Sequence, residues 1–422
     1  MGEVCRWRRF QEPSPANSGR RNPPLLDAET LAALRAEIPG LDRSVYLNTG
    51  TLGPSPRRVT ELFLSLYREW QEAGPGNPEV YLREARAAAA AKETLAAFLG
   101  VEARDLALTS NSTDGINIVA RGIDWDAGDE VVISDQEHPA GLLIWLHLRQ
   151  TKGVRVRIAR LSWESGPRNV EEVAARITPR TRLVALSHVS CMTGLLLPAR
   201  EIVEAAHSRG VPVLFDGAQA VGQFPLDLRQ IGCDFYAMNG HKWLLGPVGT
   251  GALYVSPEAL VELVPDRVGD GSAEAWEYSE EGSLRLRQDG RRFEFGTRCY
   301  PLHAAWPAAV DFISRVGLET VRRRSLALAR RLREGLAGVE GVTVLGPTRP
   351  ADEDLMTGIV SCRLEGLSGE EAYRALLERF GVVTRPVPEL RAVRFSAAFF
   401  NTEEETDAAV EAVAALVRET RD

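Results

Sequence analysis

Short apolar strands alternate with helical segments between about residues 45 and 300, and this alternation limits the possible folds more than any other feature. Seven segments rich in β-branched and apolar residues are typical of strands: DLALTS, EVVISD, VRVRIARL, RLVALSHV, VPVLFDGA, DFYAMNG and GTGALYV. Strands that alternate with helices favour a mostly parallel sheet with helices packed on its faces. We therefore expect an α/β protein built on a mostly parallel, seven-stranded sheet.

The chain divides into three parts. Residues 1–27 are rich in Pro, Arg, Ser and Asn without periodicity, and we expect a mobile tail. Residues 28–298 form the predicted large domain, whose first segment, 28–45, is expected to pack on the small domain. A predicted long helix, AAWPAAVDFISRVGLETVRRRSLALARRLREGLAGV, then belongs to a smaller α+β domain at 299–422. The polar, glycine-rich stretch 266–292 is expected to be a long functional loop.

Charge and cysteine usage favour small-molecule chemistry. A formal net charge of -8 gives the surface no general attraction for nucleic acid or anionic lipid. No apolar stretch is long enough for a membrane span and the N-terminus lacks the apolar core of a signal peptide, so we expect a cytoplasmic protein. Five cysteines, without any C-x-x-C spacing, argue against a disulfide framework and a metal site.

Lysine is rare in this chain: only Lys92, Lys152 and Lys242 occur among 50 lysine and arginine residues. An amine can lose its proton and attack a carbonyl, whereas a guanidinium stays charged. Lys92 and Lys152 fall in a predicted exposed helix and a predicted turn. Lys242, in YAMNGHKWLLGPVGTGALYV, follows an apolar strand, where parallel sheets collect ligand-binding loops, and is therefore the candidate nucleophile.

Other chemically active side chains also follow strands. Asp216 ends the strand in VLFDGAQ, where a carboxylate keeps a pyridine nitrogen protonated; a helix cap is the alternative. In LTSNSTDGIN, Ser112 and Thr113 begin a helix whose free N–H groups favour a phosphate, although an ordinary N-cap is equally compatible. His138, in SDQEHPAG, is placed to stack on a flat cofactor or to serve a structural role. Together with Lys242, these groups indicate a pyridoxal phosphate site on one rim of the sheet.

The motifs GHKWLLGPVGTGALYV, DGAQ and SHVSCMTGLLLP resemble those of a known family. It is the class V, fold type I pyridoxal-phosphate enzymes, which include cysteine desulfurases, cysteine/cystine C–S lyases, isopenicillin N epimerase-like proteins and some aminotransferases. The resemblance extends from VYLNTGTLGPSP near residue 45 to VRFSAAFFNTEEETDAAVEAV at the C-terminus. It implies a homodimer with shared active sites, an amino-acid substrate and pyridoxal 5'-phosphate as cofactor.

The resemblance also implies roles for individual residues. Lys242 holds the cofactor covalently and then moves the Cα proton, and His138 stacks on the ring. Asp216 pairs with the ring nitrogen, and Gln219 faces the ring hydroxyl. The implied phosphate contacts are Ser112, Thr113, Asn239, His241 and, reaching the neighbouring subunit, Thr297.

Two arginines are expected to bind the substrate. Arg394 matches the family position that holds the α-carboxylate, which fits a planar guanidinium. Arg385 resembles a second arginine of the C–S lyase branch, and a surface position is its alternative. Cys191 and Cys299 are interpreted as small buried residues.

The resemblance favours one reaction and does not exclude related reactions. Family members that transfer sulfur to a cysteine carry it between the strands of the two arginines, and here PVPELRAV contains none. We therefore expect Cα deprotonation and β-elimination from a sulfur-containing amino acid, giving pyruvate, ammonia and a sulfur product. Racemisation and transamination use the same deprotonation and stay open. A persulfide-forming desulfurase and a non-catalytic relative are less favoured.

Overall fold

The computed structural model describes residues 26–421, so residues 1–25 of the predicted tail lie outside the described part of the chain. The strands are β1 Val45–Tyr46, β2 Leu106–Thr109, β3 Glu130–Ser134, β4 Arg155–Ala159, β5 Thr181–Ser187, β6 Val213–Asp216, β7 Phe235–Asn239, β8 Gly251–Val255, β9 Ala273–Trp276, β10 Leu284–Leu286, β11 Val342–Leu345, β12 Ile359–Leu364, β13 Val382–Val383, β14 Arg385–Val387 and β15 Ala392–Ser396. The α-helices are α1 Ala28–Ala36, α2 Arg57–Glu72, α3 Pro78–Leu99, α4 Ser112–Gly122, α5 Pro139–Lys152, α6 Gly166–Arg176, α7 Ala199–His207, α8 Leu228–Ile231, α9 Pro257–Glu262, α10 Tyr300–Val316, α11 Leu318–Ala337, α12 Gly369–Phe380 and α13 Glu403–Arg421.

A seven-stranded sheet with the order β2-β8-β7-β6-β5-β3-β4 contains all seven predicted strands. Its pairs are parallel except where β8 meets β2 and β7. Every residue of the inner strands β3, β6, β7 and β8 is buried, because helices cover both faces of such a sheet. The predicted α/β fold with a mostly parallel seven-stranded sheet is confirmed.

Two hydrophobic cores lie on opposite faces of this sheet. Neighbouring residues of one strand enter different cores: Phe215 packs in one, and Leu214 in the other. The same alternation separates Tyr236 from Ala237 on the adjacent strand. Packing on both faces holds the strand ends in fixed positions, and the loops after these strands carry the site.

A four-stranded antiparallel sheet, β11-β12-β15-β14, forms the C-terminal part of the chain. Helices α11, α12 and α13 pack on it around a third core. The single long helix predicted here is wrong, because the chain forms α10 and α11 with a break between them. The break falls at Gly317, whose φ of +85° is accessible to glycine but strained for other residues.

The N-terminal segment contacts the C-terminal part of the chain. Strand β1 pairs in parallel with β13, and Arg35 forms a 2.7 Å ion pair with Glu405. The predicted domain boundary between residues 298 and 299 stays a prediction. The stretch 266–292, expected to be a loop, contains the antiparallel hairpin of β9 and β10, and its functional role also stays a prediction. No helix within residues 26–421 is long and apolar enough to cross a membrane.

The predicted exposure of Lys92 is wrong. Its side chain is 8% exposed and its Nζ lies 3.1 Å from Glu294 Oε1. The amine also donates to the Leu106 carbonyl at 3.1 Å. Helix α3 therefore directs this residue onto the start of β2, where a carboxylate neutralises it. Lys152, at the end of α5, is exposed.

Candidate functional site

A cavity of about 250 Å³ lies where several strands of the large sheet end. Ser187, Asp216 and Asn239 are the last residues of β5, β6 and β7, and all three line it. Parallel strands bring their carboxyl ends to one edge of the sheet, where ligands bind in α/β proteins. The lining residues are Thr51, Asn111, Ser112, Thr113, His138, Ser187, Val189, Cys191, Asp216, Ala218, Gln219, Asn239, His241, Lys242 and Arg385.

Nine of the eleven residues predicted for the site line this cavity, and two do not. Arg394 is buried beside it and donates to two lining residues, through Nη2 to Thr51 Oγ1 at 2.9 Å and through Nη1 to the Cys191 carbonyl at 3.0 Å. Thr297 lines a second cavity, which shares Thr113 with the first. The structure therefore brings all of them together except Thr297.

Lys242 lies in a tight loop that follows β7. A Cβ on Gly53 would lie 2.0 Å from the Lys242 carbonyl oxygen, so only glycine allows this approach. Burial lowers the pKa of the Lys242 amine to about 8, and the Asp216 carboxylate opposes that shift. Within residues 26–421 the amine forms no hydrogen bond or ion pair. It is therefore available to a ligand in the cavity.

Asp216 is the only acidic residue among those that line the cavity. One of its carboxylate oxygens accepts from the Ala218 amide at 2.9 Å. Burial raises the pKa of Asp216, while the nearby Lys242 lowers it. Hydrogen bonds from the Ala218 amide and the Ser112 side chain also lower this pKa, and the carboxylate lies in the cavity, where a cationic or N–H group of a ligand would meet it.

His138 is the N-cap of α5. Its Nδ1 accepts from the Ala140 amide at 3.1 Å, which assigns the ring proton to Nε2. Burial first, and then the positive charge of Lys242, lower the pKa of His138 to about 4. The imidazole is thus neutral at physiological pH and presents a flat, uncharged ring to the cavity.

The N-terminus of α4 supplies the cavity with hydrogen-bond donors. Asn111, and not Ser112 or Thr113, is the N-cap, with its side chain accepting from the Asp114 amide. The ordinary-cap alternative for Ser112 and Thr113 is therefore wrong. The Ser112 and Asp114 amides already donate to Asn239 and Asn111, which leaves the Thr113 amide as the first-turn donor without an acceptor among the described residues. A helix N-terminus with such a donor favours a bound anion.

Asn239 and His241 flank this helix terminus. Asn239 Oδ1 accepts from the Ser112 amide at 2.8 Å, which joins the end of β7 to the start of α4. His241 Nδ1 is buried without a hydrogen-bond partner among the described residues. Burial, together with the charge of Lys242, lowers the pKa of His241. An orphaned ring nitrogen at a helix terminus fits a ligand that carries oxygen atoms.

Arg385 and Arg394 lie opposite each other on adjacent antiparallel strands. Like charges in that arrangement repel each other. Neither guanidinium forms an ion pair with a carboxylate within residues 26–421. Burial and the charge of Arg385 lower the pKa of Arg394 to about 10, although Cys191 opposes this shift. Two uncompensated cations indicate an anionic ligand.

Sequence reasoning missed several residues of the site. Thr51 comes from the segment VYLNTGTLGPSP, which contributed only to the resemblance. Glu137 precedes His138 and is buried, with Ser187 N and Oγ donating to Oε2 at 2.9 and 2.6 Å. Burial raises the pKa of Glu137 to about 7. The signal available in SDQEHPAG was an acidic residue directly before the candidate His138.

One cysteine lies at the cavity, and the described chain contains no cluster of metal ligands. Cys191 is buried and lines the cavity, as expected of a small buried residue, whereas Cys299 is only partly buried and lies elsewhere. Burial raises the pKa of the Cys191 thiol. No group of three or more metal-ligating side chains occurs in the described chain.

Comparison with known proteins identifies similar chains over nearly the full length. The sequence profile of the family described as Aminotransferase class-V matches residues 45–408. The isopenicillin N epimerase of Streptomyces clavuligerus is 38% identical over 391 residues, which cover 89% of this chain and 95% of that protein. A probable cysteine desulfurase of Methanothermobacter thermautotrophicus is 30% identical over 387 residues, with 88% and 94% covered.

Solved structures of similar proteins have the same fold as this chain. The complex of the cystine C–S lyase C-DES with cysteine persulfide has a TM-score of 0.83 and 30% identity, and covers 89% of this chain and 99% of that chain. A C-DES mutant with glycine covalently linked to its PLP cofactor has the same TM-score and identity, with 90% and 98% covered. The cysteine desulfurase CsdA of Escherichia coli follows at a TM-score of 0.80 and 28% identity, with 92% and 98% covered.

Proposed function

Since this chain belongs to the class V aminotransferase family, we propose that it is a lyase that removes the β-sulfur group of a cysteine-type amino acid. It is a pyridoxal-phosphate-dependent enzyme of the group that contains cysteine desulfurases, C–S lyases and isopenicillin N epimerases. The observation that carries the proposal is the pair of uncompensated guanidiniums, Arg385 and Arg394, beside the unpaired amine of Lys242.

The cavity fits pyridoxal phosphate. Its acid, Asp216, would keep the ring nitrogen protonated, and the neutral ring of His138 would offer a stacking surface. Ser112 and Thr113 at the N-terminus of α4, with the orphaned Nδ1 of His241, would hold the phosphate. When bound, the cofactor supplies an electron sink for the charge left when Cα loses its proton.

Lys242 is the proposed base at Cα. Its amine is desolvated and has no hydrogen-bond partner within residues 26–421, so it is free to accept a proton from a bound amino acid. A pKa near the working pH makes an amine effective both in taking a proton and in returning it. The lowered pKa of Lys242, about 8, meets that requirement.

Arg394 is the proposed anchor of the substrate α-carboxylate. Three acceptors hold its guanidinium: Thr51 Oγ1, Asn48 Oδ1 and the Cys191 carbonyl. Its Nε has no partner among the described residues and is available to a carboxylate. Arg385, on the neighbouring strand, lines the cavity and adds a second positive charge for the same or another acidic group.

Elimination is proposed over sulfur transfer because no cysteine within residues 26–421 offers a reactive thiol at the cavity. A 3₁₀ turn, Pro388–Leu390, joins β14 to β15, and the segment between the two arginines carries no cysteine. Among described cysteines only Cys191 lines the cavity, and burial raises the pKa of its thiol. A thiol held neutral is a poor nucleophile. The expected products are pyruvate, ammonia and a sulfur compound.

Racemisation is the second candidate, because an isopenicillin N epimerase is 38% identical to this chain. Lys242 would remove the Cα proton in the same way, and a proton would then return to the other face. Transamination shares that deprotonation as well. Product analysis separates the three.

The test is incubation of the holoenzyme with cystine and with cysteine in deuterated water, with Lys242→Ala as the matched control. Pyruvate and sulfide or persulfide, absent from the control, support elimination. Alanine supports desulfuration and contradicts the proposal. Deuterated, racemised substrate without pyruvate supports the epimerase alternative. A colourless protein after incubation with pyridoxal phosphate would contradict the whole assignment and favour a non-catalytic relative.

The homodimer, the cytoplasmic location and the role of Thr297 belong to the same proposal. Thr297 lines the second cavity together with Thr113, which also lines the first. A second subunit that fits against this region would bring its cofactor phosphate to Thr297. Sedimentation of the holoenzyme tests this directly, since a monomer of 46.3 kDa with full activity would contradict shared sites.

A further inference from the structure

Trp243 and Gln219 form a buried hydrogen-bonded pair beside the cofactor cavity. The Trp243 indole donates through Nε1 to Gln219 Oε1 at 2.8 Å. Gln219 Nε2 donates to the Gly50 carbonyl, also at 2.8 Å. Each of the two side chains is 3% exposed, and Gln219 lines the cavity whereas Trp243 does not.

These contacts determine which end of the Gln219 amide is oxygen and which is nitrogen. An indole N–H can only donate, so the amide atom that it meets must be the oxygen. A main-chain carbonyl can only accept, so the atom that meets Gly50 must be the nitrogen. Both neighbours thus require the same orientation, and reversing the amide would lose both hydrogen bonds.

The main chain of Gln219 is held as well. Gln223 donates through Nε2 to the Gln219 carbonyl, and its Oε1 accepts from the Gly358 amide at 2.9 Å. Gly358 immediately precedes β12, so this chain of contacts joins Gln219 to the C-terminal sheet. The backbone and the amide orientation of Gln219 are therefore both fixed before any ligand binds.

One hydrogen of Gln219 Nε2 remains without an acceptor within residues 26–421. A residue that lines a cavity and carries a free N–H offers the ligand a donor. An ionised oxygen fits that donor better than a neutral hydroxyl, because a hydrogen bond to a charged acceptor is shorter and stronger.

We propose that Trp243 is a positioning residue that fixes Gln219 as a hydrogen-bond donor to the ring oxygen of bound pyridoxal phosphate. The inference rests on the proposed placement of Gln219 beside that oxygen. It does not depend on which reaction the enzyme performs. Trp243 acts through Gln219 and does not itself touch the cofactor.

The test uses purified protein and no substrate. Trp243→Phe removes the indole N–H but keeps an aromatic ring. Trp145→Phe is the matched control, because Trp145 is fully buried and its Nε1 has no hydrogen-bond partner among the described residues. The two readouts are the dissociation constant of pyridoxal phosphate and the pH midpoint of the visible absorbance of the bound cofactor.

We expect Trp243→Phe to weaken cofactor binding by about two- to tenfold, the range of one hydrogen bond. The pH midpoint should rise, because a ring oxygen that loses a donor holds its neighbouring proton more tightly. Trp145→Phe should change neither readout. In a Gln219→Leu background, Trp243→Phe should have no further effect, since a residue that acts through Gln219 needs it.

Two results would overturn the proposal: equal effects of Trp243→Phe and Trp145→Phe, or an effect of Trp243→Phe that persists undiminished in the Gln219→Leu protein. Gln219→Glu gives an independent test with Trp243 intact. One carboxylate oxygen of the glutamate can still accept from the indole. The other oxygen takes the place of Nε2 and cannot donate to the Gly50 carbonyl or to the ring oxygen. It should bind the cofactor more weakly than Gln219→Leu, and binding as tight as in the unmodified protein would contradict the proposal. Because no substrate enters these measurements, a failure of the proposed reaction would leave their outcome unchanged.

Discussion

The amines of Lys92 and Lys242 are both desolvated, but only the amine of Lys92 has partners within residues 26–421. The Lys92 amine pairs with Glu294 at 3.1 Å and donates to the Leu106 carbonyl. The Lys242 amine forms no hydrogen bond or ion pair within residues 26–421, and burial lowers its pKa to about 8. A buried amine that holds structure together is neutralised by a partner, whereas one that faces a cavity without a partner is available for chemistry.

The buried arginines Arg324 and Arg394 differ in the same way, since only Arg324 has a carboxylate partner in the described chain. Arg324 is tied to Glu403 and donates to the carbonyls of Phe399 and Asn401. Arg394 is equally buried but has no carboxylate partner in the described chain, and one of its nitrogens has no acceptor. Uncompensated charge is therefore concentrated at the cavity, where an amino acid with its carboxylate would supply the missing partner.

The largest effect is expected from Lys242→Arg, which keeps the charge but cannot lose a proton. Activity should fall by about 10²- to 10⁴-fold or more, the range for loss of an acid–base group. The visible absorbance of the bound cofactor should also disappear. Lys92→Arg is the matched control and should keep that absorbance. Retained activity in Lys242→Arg would show that the Lys242 amine does not perform the chemistry.

Lys92→Met should affect stability and leave cofactor binding intact. It leaves the partly buried Glu294 carboxylate without its cation, with the Leu108 amide as its remaining donor. The cost should reach at most about 3–5 kcal/mol, the range for breaking a buried pair. Urea unfolding measures this loss, with Lys152→Met as the exposed control at about 0.5 kcal/mol or less. A Lys92→Met protein as stable as the control would show that the ion pair is not structural.

Arg394→Lys tests the unpaired guanidinium. Loss of a charge-assisted hydrogen bond to the substrate carboxylate should raise KM by about 10- to 100-fold. Arg385→Lys should have a smaller effect, because Arg394 is the proposed primary anchor. Cofactor absorbance serves as the internal control and should not change in either variant. An unchanged KM in Arg394→Lys would place the carboxylate elsewhere.

The rate of cofactor capture by the apoprotein should depend on pH with a midpoint set by Lys242. Only the neutral amine attacks, so the rate should fall about tenfold for each pH unit below the midpoint and level off above it. The lowered pKa places that midpoint near 8. Stopped-flow absorbance measures the profile, corrected with a simple primary amine in the same buffers. A rate that keeps rising to about pH 10.4 would indicate an ordinary lysine.

The smallest effect is expected from Thr51→Val, which removes the nearer of the two acceptors of Arg394 Nη2 and leaves Asn48 Oδ1 at 3.4 Å. A less firmly held guanidinium should raise KM by about two- to tenfold and leave kcat close to its original value. Thr51→Ser keeps the hydroxyl and should behave as the unmodified protein. A fall in kcat alone would mean that Thr51 acts on the reaction and not on the position of Arg394.

Much of the fold and part of the site follow from local sequence patterns. All seven strands of the sheet were predicted because buried parallel strands form short β-branched runs between helices. Asp216, Lys242 and His138 were found because Asp216 ends such a run and the other two lie within four residues after one. The predicted long helix failed at Gly317, since a glycine in a helical pattern does not reveal a positive φ.

The rest depends on contacts between distant segments. Thr51 and Arg394 are 343 residues apart in the chain, and no local pattern indicates their hydrogen bond. Lys92 looked exposed because the carboxylate that neutralises it comes from Glu294, 202 residues away. The pairing of Trp243 with Gln219 likewise follows from the way that two loops pack, with no signature in either one.

The most direct test of the difference between Lys92 and Lys242 is to identify the lysine that carries the cofactor. Protein loaded with pyridoxal phosphate is reduced with borohydride, digested and analysed by mass spectrometry, with Lys92, Lys152 and Lys242 as the three possible sites of the chain. We predict that the label lies on the peptide that contains Lys242 and that Lys92 stays unmodified. A label on Lys92 or Lys152, or none on Lys242, would contradict the account.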